Sequence, residues 1–183
     1  QEPTAADDPA PGLANVGMED LGPLPEYQLT LALDVADRRL AGRQQTTIPN
    51  RTGGDLEEIV FRLYPNLPQY GGRLRVDSVT VDGRPGAFYQ RAGDTSLVIP
   101  VAQPIAPGAT ATVVMSFEVE IPERDQGYVL FGHSRRIWSL PDAYPLLAVH
   151  GGSVGLTGTG DHWYEDIAPA HGDAVFAEAA FYD

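Results

Sequence analysis

Residues 112–122, TVVMSFEVEIP, constrain this chain more than any other stretch. Val113, Met115, Phe117, Val119 and Ile121 fall on one face of an extended strand, while Thr112, Ser116, Glu118 and Glu120 fall on the other. Only Val114 is out of phase. A strand with one apolar and one wet face needs a second layer to cover it, so the chain must supply more sheet.

The rest of the sequence supplies it. Tyr27, Leu29, Leu31, Leu33 and Val35 alternate with polar or small residues as a first half-buried strand, and Asp37 and Arg38 turn the chain. A return strand follows to Asn50, and its polar run, residues 43–47, is expected to face solvent. Leu56, Ile59, Phe61 and Leu63 mark a third strand that ends in Leu63-Tyr64-Pro65-Asn66. Residues 73–82 mark a fourth, with a phase change between Val76 and Val79 that predicts a β-bulge. Asp82-Gly83 begins a turn, residues 87–91 and 96–100 are short strands around Gly93 and Asp94, and Ile105-Ala106-Pro107-Gly108 is a tight turn into the organising strand. Residues 172–183 read as a last strand that is cut off. The expectation is an all-β fold, a saddle-like or sandwich arrangement of mainly antiparallel strands. Residues 1–26, acidic and rich in proline, read as a flexible tail ahead of one β domain at 27–183.

Charge narrows the partners. The 25 acidic residues against 12 basic ones, all arginine, give a formal net charge of -13, which argues against nucleic acid. With no cysteine there is no disulfide, thiolate zinc site or cysteine nucleophile. No apolar run reaches the roughly 20 residues that span a bilayer. The first residue is Gln1 and no signal-peptide pattern precedes the domain, so the chain is read as trimmed from a longer, exported precursor, extracellular, periplasmic or surface-tethered.

The motifs exclude more than they establish. A His-Glu-x-x-His zinc site needs histidines four apart on one helical face, and the residues four after His133, His150, His162 and His171 are Ile137, Val154, Asp166 and Val175. Asp161, His162, Asp166, His171 and Asp173 place metal-capable groups in a short span, which leaves a small metal-dependent hydrolase as one reading. The glycine-rich residues 151–160 lack the Gly-Lys-Ser/Thr of a phosphate loop. Neither Ser139 nor Ser153 sits in a nucleophile elbow. Trp138, Tyr144, Trp163 and Tyr164 could line a groove, so an exported β-sandwich module that binds glycan or peptide is an alternative. Asn50-Arg51-Thr52 fits the N-glycosylation sequon.

Several segments together carry a resemblance. They are Tyr27-x-Leu29-x-Leu31-x-Leu33-Asp34, Leu40-x-Gly42, Asn50, Leu63-Tyr64-Pro65-Asn66, Ile105-x-Pro107-Gly108, residues 143–149 (AYPLLAV), Gly172-Asp173 and Phe181-Tyr182-Asp183. In this order and spacing, over residues 27–183, the chain resembles the N-terminal β domain of the aminopeptidase N (membrane alanyl aminopeptidase) family of zinc metallopeptidases. The resemblance implies a saddle-shaped, non-catalytic domain that scaffolds a catalytic domain and covers its active-site cleft. It also implies an apolar surface for docking that domain. The chain itself would hold no cofactor, zinc would belong to the parent protein, and the partners would be its own downstream catalytic domain and a peptide substrate. The family places a residue of this domain near the substrate amine. Here the segment reads Pro141-Asp142-Ala143-Tyr144-Pro145, which departs from the family pattern, so Trp138, Ser139, Asp142 and Tyr144 are candidate cleft-facing residues and the amine anchor is unassigned.

Overall fold

The computed structural model describes residues 22–125, 130–154, 162–166 and 175–183. Its elements are β1 (Glu26–Asp34), β2 (Arg39–Pro49), β3 (Leu56–Arg62), a one-turn 3-10 helix (Tyr64–Asn66), β4 (Arg73–Val81), β5 (Arg84–Pro85), β6 (Tyr89–Arg91), β7 (Ser96–Ile105), β8 (Thr110–Glu120), β9 (Gly132–Ser134), β10 (Ile137–Ser139), β11 (Leu146–Leu147), the short helical turn α1 (Gly151–Val154) and β12 (Phe181–Tyr182). A six-stranded sheet runs in the order β12-β1-β2-β8-β4-β5, a four-stranded sheet in the order β11-β3-β7-β6, and β9 and β10 form a separate hairpin. Every named pairing is antiparallel except β1 with β12. The all-β sandwich expected from the alternation is what forms. No helix among the described residues is long and apolar enough to cross a membrane.

The register of β8 between β2 and β4 creates the core. It lines up Leu40, Val119 and Leu74, then Gly42, Phe117 and Val76, then Gln44, Met115 and Val79, then Thr46, Val113 and Val81. All of these lie on one face because side chains alternate along a strand. The bulge expected in β4 falls between Val76 and Ser78 and keeps both halves of that strand in phase with β8. Gly42 has a packing reason: a Cβ there would fall inside the Phe117 ring, which lies directly over the glycine backbone. The Asp82-Gly83 turn holds positive φ at both residues, 49° and 76°, the conformation of a tight two-residue hairpin connection between β4 and β5.

The smaller sheet is covered on both faces. Ile59, Phe61, Leu97 and Ile99 join the main core, while Val60 and Val98 pack outward with Ala148 against Trp163. Double-sided burial explains the unbroken apolar runs 59–61 and 97–99, which carry no alternation.

Four expectations are corrected. The polar run of β2 does not all face solvent, since Gln44 and Thr46 are fully buried. The first strand is half-buried only as far as Leu29, and Leu31, Leu33 and Val35 are 46%, 39% and 63% exposed. Of residues 87–91 only Tyr89–Arg91 pair, whereas the strand begun at Ser96 continues to Ile105. Of the described residues of the last segment, 175–183, only Phe181–Tyr182 is strand, joined in parallel to the start of β1. Within the residues first read as tail, Pro25 is buried, and its carbonyl accepts a hydrogen bond from Phe181 N at 2.9 Å.

Gly42→Ala should cost about 1–3 kcal/mol through overpacking against Phe117, and Phe117→Leu in that background should recover part of the loss. Urea denaturation of the single and double variants measures the coupling; strictly additive losses would contradict the contact.

Candidate functional site

The segment after β10 cannot continue as a ladder strand, because Pro141 and Pro145 have no N–H to give. It is held instead by buried polar side chains of the large sheet. Gln44 Nε2 donates to Pro145 O at 2.9 Å and to Thr46 Oγ1 at 2.8 Å. The Tyr27 hydroxyl accepts from Leu147 N at 2.8 Å, and Ala148 N donates to Val60 O at 2.9 Å. Polar residues sit in the core here because the segment crossing it brings backbone groups that need partners.

These contacts set the place of Asp142. Its φ of 51° lies in the left-handed region that aspartate tolerates better than most residues. Its carboxyl is half-buried beside Tyr64, Tyr70 and Tyr144, each of which feels its charge. No basic side chain among the described residues pairs with it. Burial pushes the Asp142 carboxyl above its ordinary range. The Tyr70 phenol is pushed up to about 12, by burial first and then by the Asp142 charge. Burial likewise raises Tyr64, opposed by its hydrogen bond with the Phe176 backbone, and raises Tyr144, assisted by the hydrogen bond to Tyr182. The result is one unpaired carboxylate set among neutral phenols. Such a group attracts a small cation through its charge.

Tyr144 also belongs to an aromatic knot. Its ring meets Tyr27 edge-on at 6.0 Å and Tyr182 at 6.2 Å, and Tyr27 stacks on Tyr182 at 4.9 Å. The other aromatic candidates are engaged elsewhere. Trp138 lies on His133, its cross-strand partner, at 4.4 Å, and the Ser139 hydroxyl donates to Leu130 O at 3.1 Å. Trp163 meets His150 edge-on at 4.8 Å over the outer face of the smaller sheet. Tyr164 contacts His162 and Phe176. Thus Asp142 and Tyr144 are brought together, and Trp138 and Trp163 each rest on a histidine in a different part of the fold.

Of the metal-capable run, His162 and Asp166 are described and Asp161, His171 and Asp173 lie outside the described residues. Among the described residues no three His, Cys, Asp or Glu side chains gather as a metal site. The 162–166 segment is anchored by arginines instead. Arg62 donates to the backbone carbonyls of Tyr164 and Asp166 at 3.1 and 3.0 Å, and Arg91 bridges Glu165 and Glu58. Most of residues 151–160 also lie outside the described set.

The sequon is structural. Asn50 Nδ2 donates to Gly54 O at 2.8 Å and Ile105 O at 2.6 Å, while Asn50 Oδ1 accepts from Thr52 N at 2.9 Å and Thr52 Oγ1 at 2.7 Å. A buried amide with both protons committed is not presented for glycosylation. Sequence reasoning missed Tyr64, Tyr70 and Tyr182 as neighbours of the candidate residues. Tyr64 carried a signal, since it stands in the Leu-Tyr-Pro-Asn segment whose Tyr64–Asn66 turn closes the corner after β3. Tyr182 stood in the Phe181-Tyr182-Asp183 segment of the same resemblance, and nothing local marked Tyr70.

Comparison with solved structures returns partial likenesses. An M1 zinc metallopeptidase mutant from Deinococcus radiodurans is 19% identical, with a TM-score of 0.46 over 64% of this chain and 26% of that one. The mutant bound to a Tyr-Ser-Ala substrate is 18% identical, with a TM-score of 0.45 over 61% of this chain and 24% of that one. An M1 zinc metallopeptidase from the same organism is 20% identical, with a TM-score of 0.42 over 54% of this chain and 21% of that one. This chain therefore spans about a quarter of the length of those proteins. At such scores and identities the likeness assigns neither a family nor an activity. No protein-family model and no curated protein matches the sequence.

Two outcomes follow from the site geometry. Because burial raises the Asp142 carboxyl in the folded state, its contribution to stability is full below the ordinary value of 3.8 and is lost as pH rises through the raised value. Asp142→Asn should flatten the fall in the urea midpoint as pH rises above the ordinary carboxyl value of 3.8; an unchanged slope would assign the effect to Glu178, which burial also raises. Asn50→Ala should cost about 1–3 kcal/mol, because it removes the side-chain donor to Ile105 O and the acceptor of the Thr52 N–H, while Gly54 O keeps the Thr52 hydroxyl. Denaturant titration measures that loss.

Proposed function

We propose that this chain is the non-catalytic N-terminal β domain of a zinc-dependent, aminopeptidase-like metallopeptidase, scaffolding a catalytic domain and covering its active-site cleft. The observation that carries the reading is the unpaired Asp142 carboxylate beside Tyr64, Tyr70 and Tyr144. It stands in the segment where the sequence resemblance implies a residue facing the substrate amine. An α-ammonium group fits a carboxylate with no basic partner of its own, since it would supply the missing counter-charge and replace part of the lost hydration.

In this reading the zinc and its ligands belong to the catalytic domain, and no step of the chemistry runs through this chain. The role of these residues is to bind and orient: Asp142 takes the amino terminus of a peptide, and Tyr144, held by Tyr27 and Tyr182, walls the same side. The parent protein is exported.

The test is to read the gene beyond the codon for Asp183. A His-Glu-x-x-His motif followed at a distance by a third ligand glutamate is expected, and a frame encoding neither would overturn the reading. In that protein Asp142→Asn should lower kcat/KM for peptides with a free α-amine by roughly 10- to 100-fold, the range of a lost charge-assisted hydrogen bond. N-acetylated peptides should be affected far less; equal losses on both would remove Asp142 from amine recognition.

A further inference from the structure

The two sheets part where β5 faces the far half of β7. β6 pairs with β7 along Ser96–Val98, and the pairing of β7 with β3 breaks register between Pro100 and Ile105. On the other side the large sheet ends in β5, whose Pro85 has no N–H to carry a ladder further. Between them lies a hollow of about 500 Å³, within the range of about 300–1,000 Å³ in which proteins hold small molecules. All of its lining residues belong to the described set. The wall is mostly apolar, with Val81, Pro85, Pro100, Val101 and Ile105. Gly86 lines it at the join of the two sheets. A Cβ there would stand 3.4 Å from Val81 Cγ2 on one sheet and 3.8 Å from Ile99 Cγ2 on the other, so the missing side chain leaves room without any clash to forbid one.

The rim carries one acid and one base. Asp82 and Arg84 both line the hollow, both are exposed, and they flank Gly83 in the turn from β4 to β5. Asp82 is fixed by its neighbour across the sheet: its N donates to Thr112 O and its Oδ1 accepts from Thr112 N, each at 2.8 Å. A carboxylate accepts several hydrogen bonds and a guanidinium donates five, so both groups keep capacity for a ligand. Among the described residues no ion pair joins the two side chains.

We propose that this hollow binds a free α-amino acid with a large apolar side chain. The apolar wall takes the side chain, Arg84 takes the α-carboxylate on two N–H donors, and Asp82 takes the α-ammonium. Charge decides among the occupants. A simple fatty or aromatic acid would bring its carboxylate beside Asp82 with nothing to offset the repulsion, and an amine would meet Arg84 in the same way. A neutral hydrocarbon would use neither charge, whereas a zwitterion matches both. Asp142 is not among the lining residues, and the hollow is independent of the role proposed for it.

The test titrates the full chain with L-phenylalanine and follows backbone amide shifts by NMR. Saturable shifts at Gly86, Val101 and Ile105 are expected. N-acetyl-L-phenylalanine lacks the cation and L-phenylalaninamide the anion, so each should bind about tenfold or more weakly, the worth of one hydrogen bond to a charged group, and glycine should not saturate. Arg84→Gln should remove the preference over L-phenylalaninamide, and Asp82→Asn, which keeps the acceptor for Thr112 N, should remove the preference over N-acetyl-L-phenylalanine. Gly86→Val, which fills the join of the sheets, should abolish binding, and Asp142→Asn should leave it unchanged. No saturable shift at millimolar L-phenylalanine would overturn the proposal. So would equal affinity for all three phenylalanine ligands, or shifts confined to the surroundings of Asp142 and Tyr144.

Discussion

The register of β8 between β2 and β4 is the constraint on which the rest of the structure depends. A shift of one residue would turn Val113, Met115, Phe117 and Val119 to the wet face and bury Ser116 and Glu118. Two local devices hold it. Phe117 occupies the space left by the missing side chain of Gly42, so the ring fits over one position of β2 only. The bulge after Val76 absorbs one residue of β4, letting Leu74 and Val76 on one side and Val79 and Val81 on the other face the same core.

With that register in place, the polar residues of β2 become structural hooks. Gln44 and Thr46 share the core face with Met115 and Val113, where an unbonded amide would cost roughly 1–3 kcal/mol. Gln44 donates to both Thr46 Oγ1 and Pro145 O and so holds Pro145, while Tyr27 holds Leu147 and Val60 holds Ala148. A proline-containing segment that makes few ladder bonds is thereby held against the sheet, and Asp142 is held with it. Fold and candidate site are one network: the hydrogen bonds that Gln44 Nε2 and the Tyr27 hydroxyl make to this segment also bring a carboxylate to the side of Tyr64, Tyr70 and Tyr144.

Much of the fold was legible because its signals are local. Alternation marked β8, the phase change marked the bulge in β4, and Asp82-Gly83 marked its turn, since each depends on residues within a few positions of one another. The candidate site was legible only in part. Asp142 and Tyr144 stood out through a resemblance in their segment, whereas Tyr70 and Tyr182 come from distant parts of the chain, and Tyr70 carries no local mark. Trp163 looked like a groove residue and instead covers Val60 and Val98. A tryptophan has the same local pattern whether it lines a groove or seals a sheet.

The sequence by itself determined where the longest strands and several of their turns form, that β8 has one apolar face, and that the chain is strongly acidic. Tertiary structure alone decided which apolar faces are covered and which polar residues are buried. Leu31 and Leu33 alternate as regularly as Tyr27 and Leu29, yet they remain exposed, while Gln44 is buried in a run that reads as wet. Periodicity reports the face on which a side chain points. Whether anything lies opposite depends on how far the second layer reaches, and contacts between residues a hundred positions apart, such as Gln44 with Pro145, set that reach.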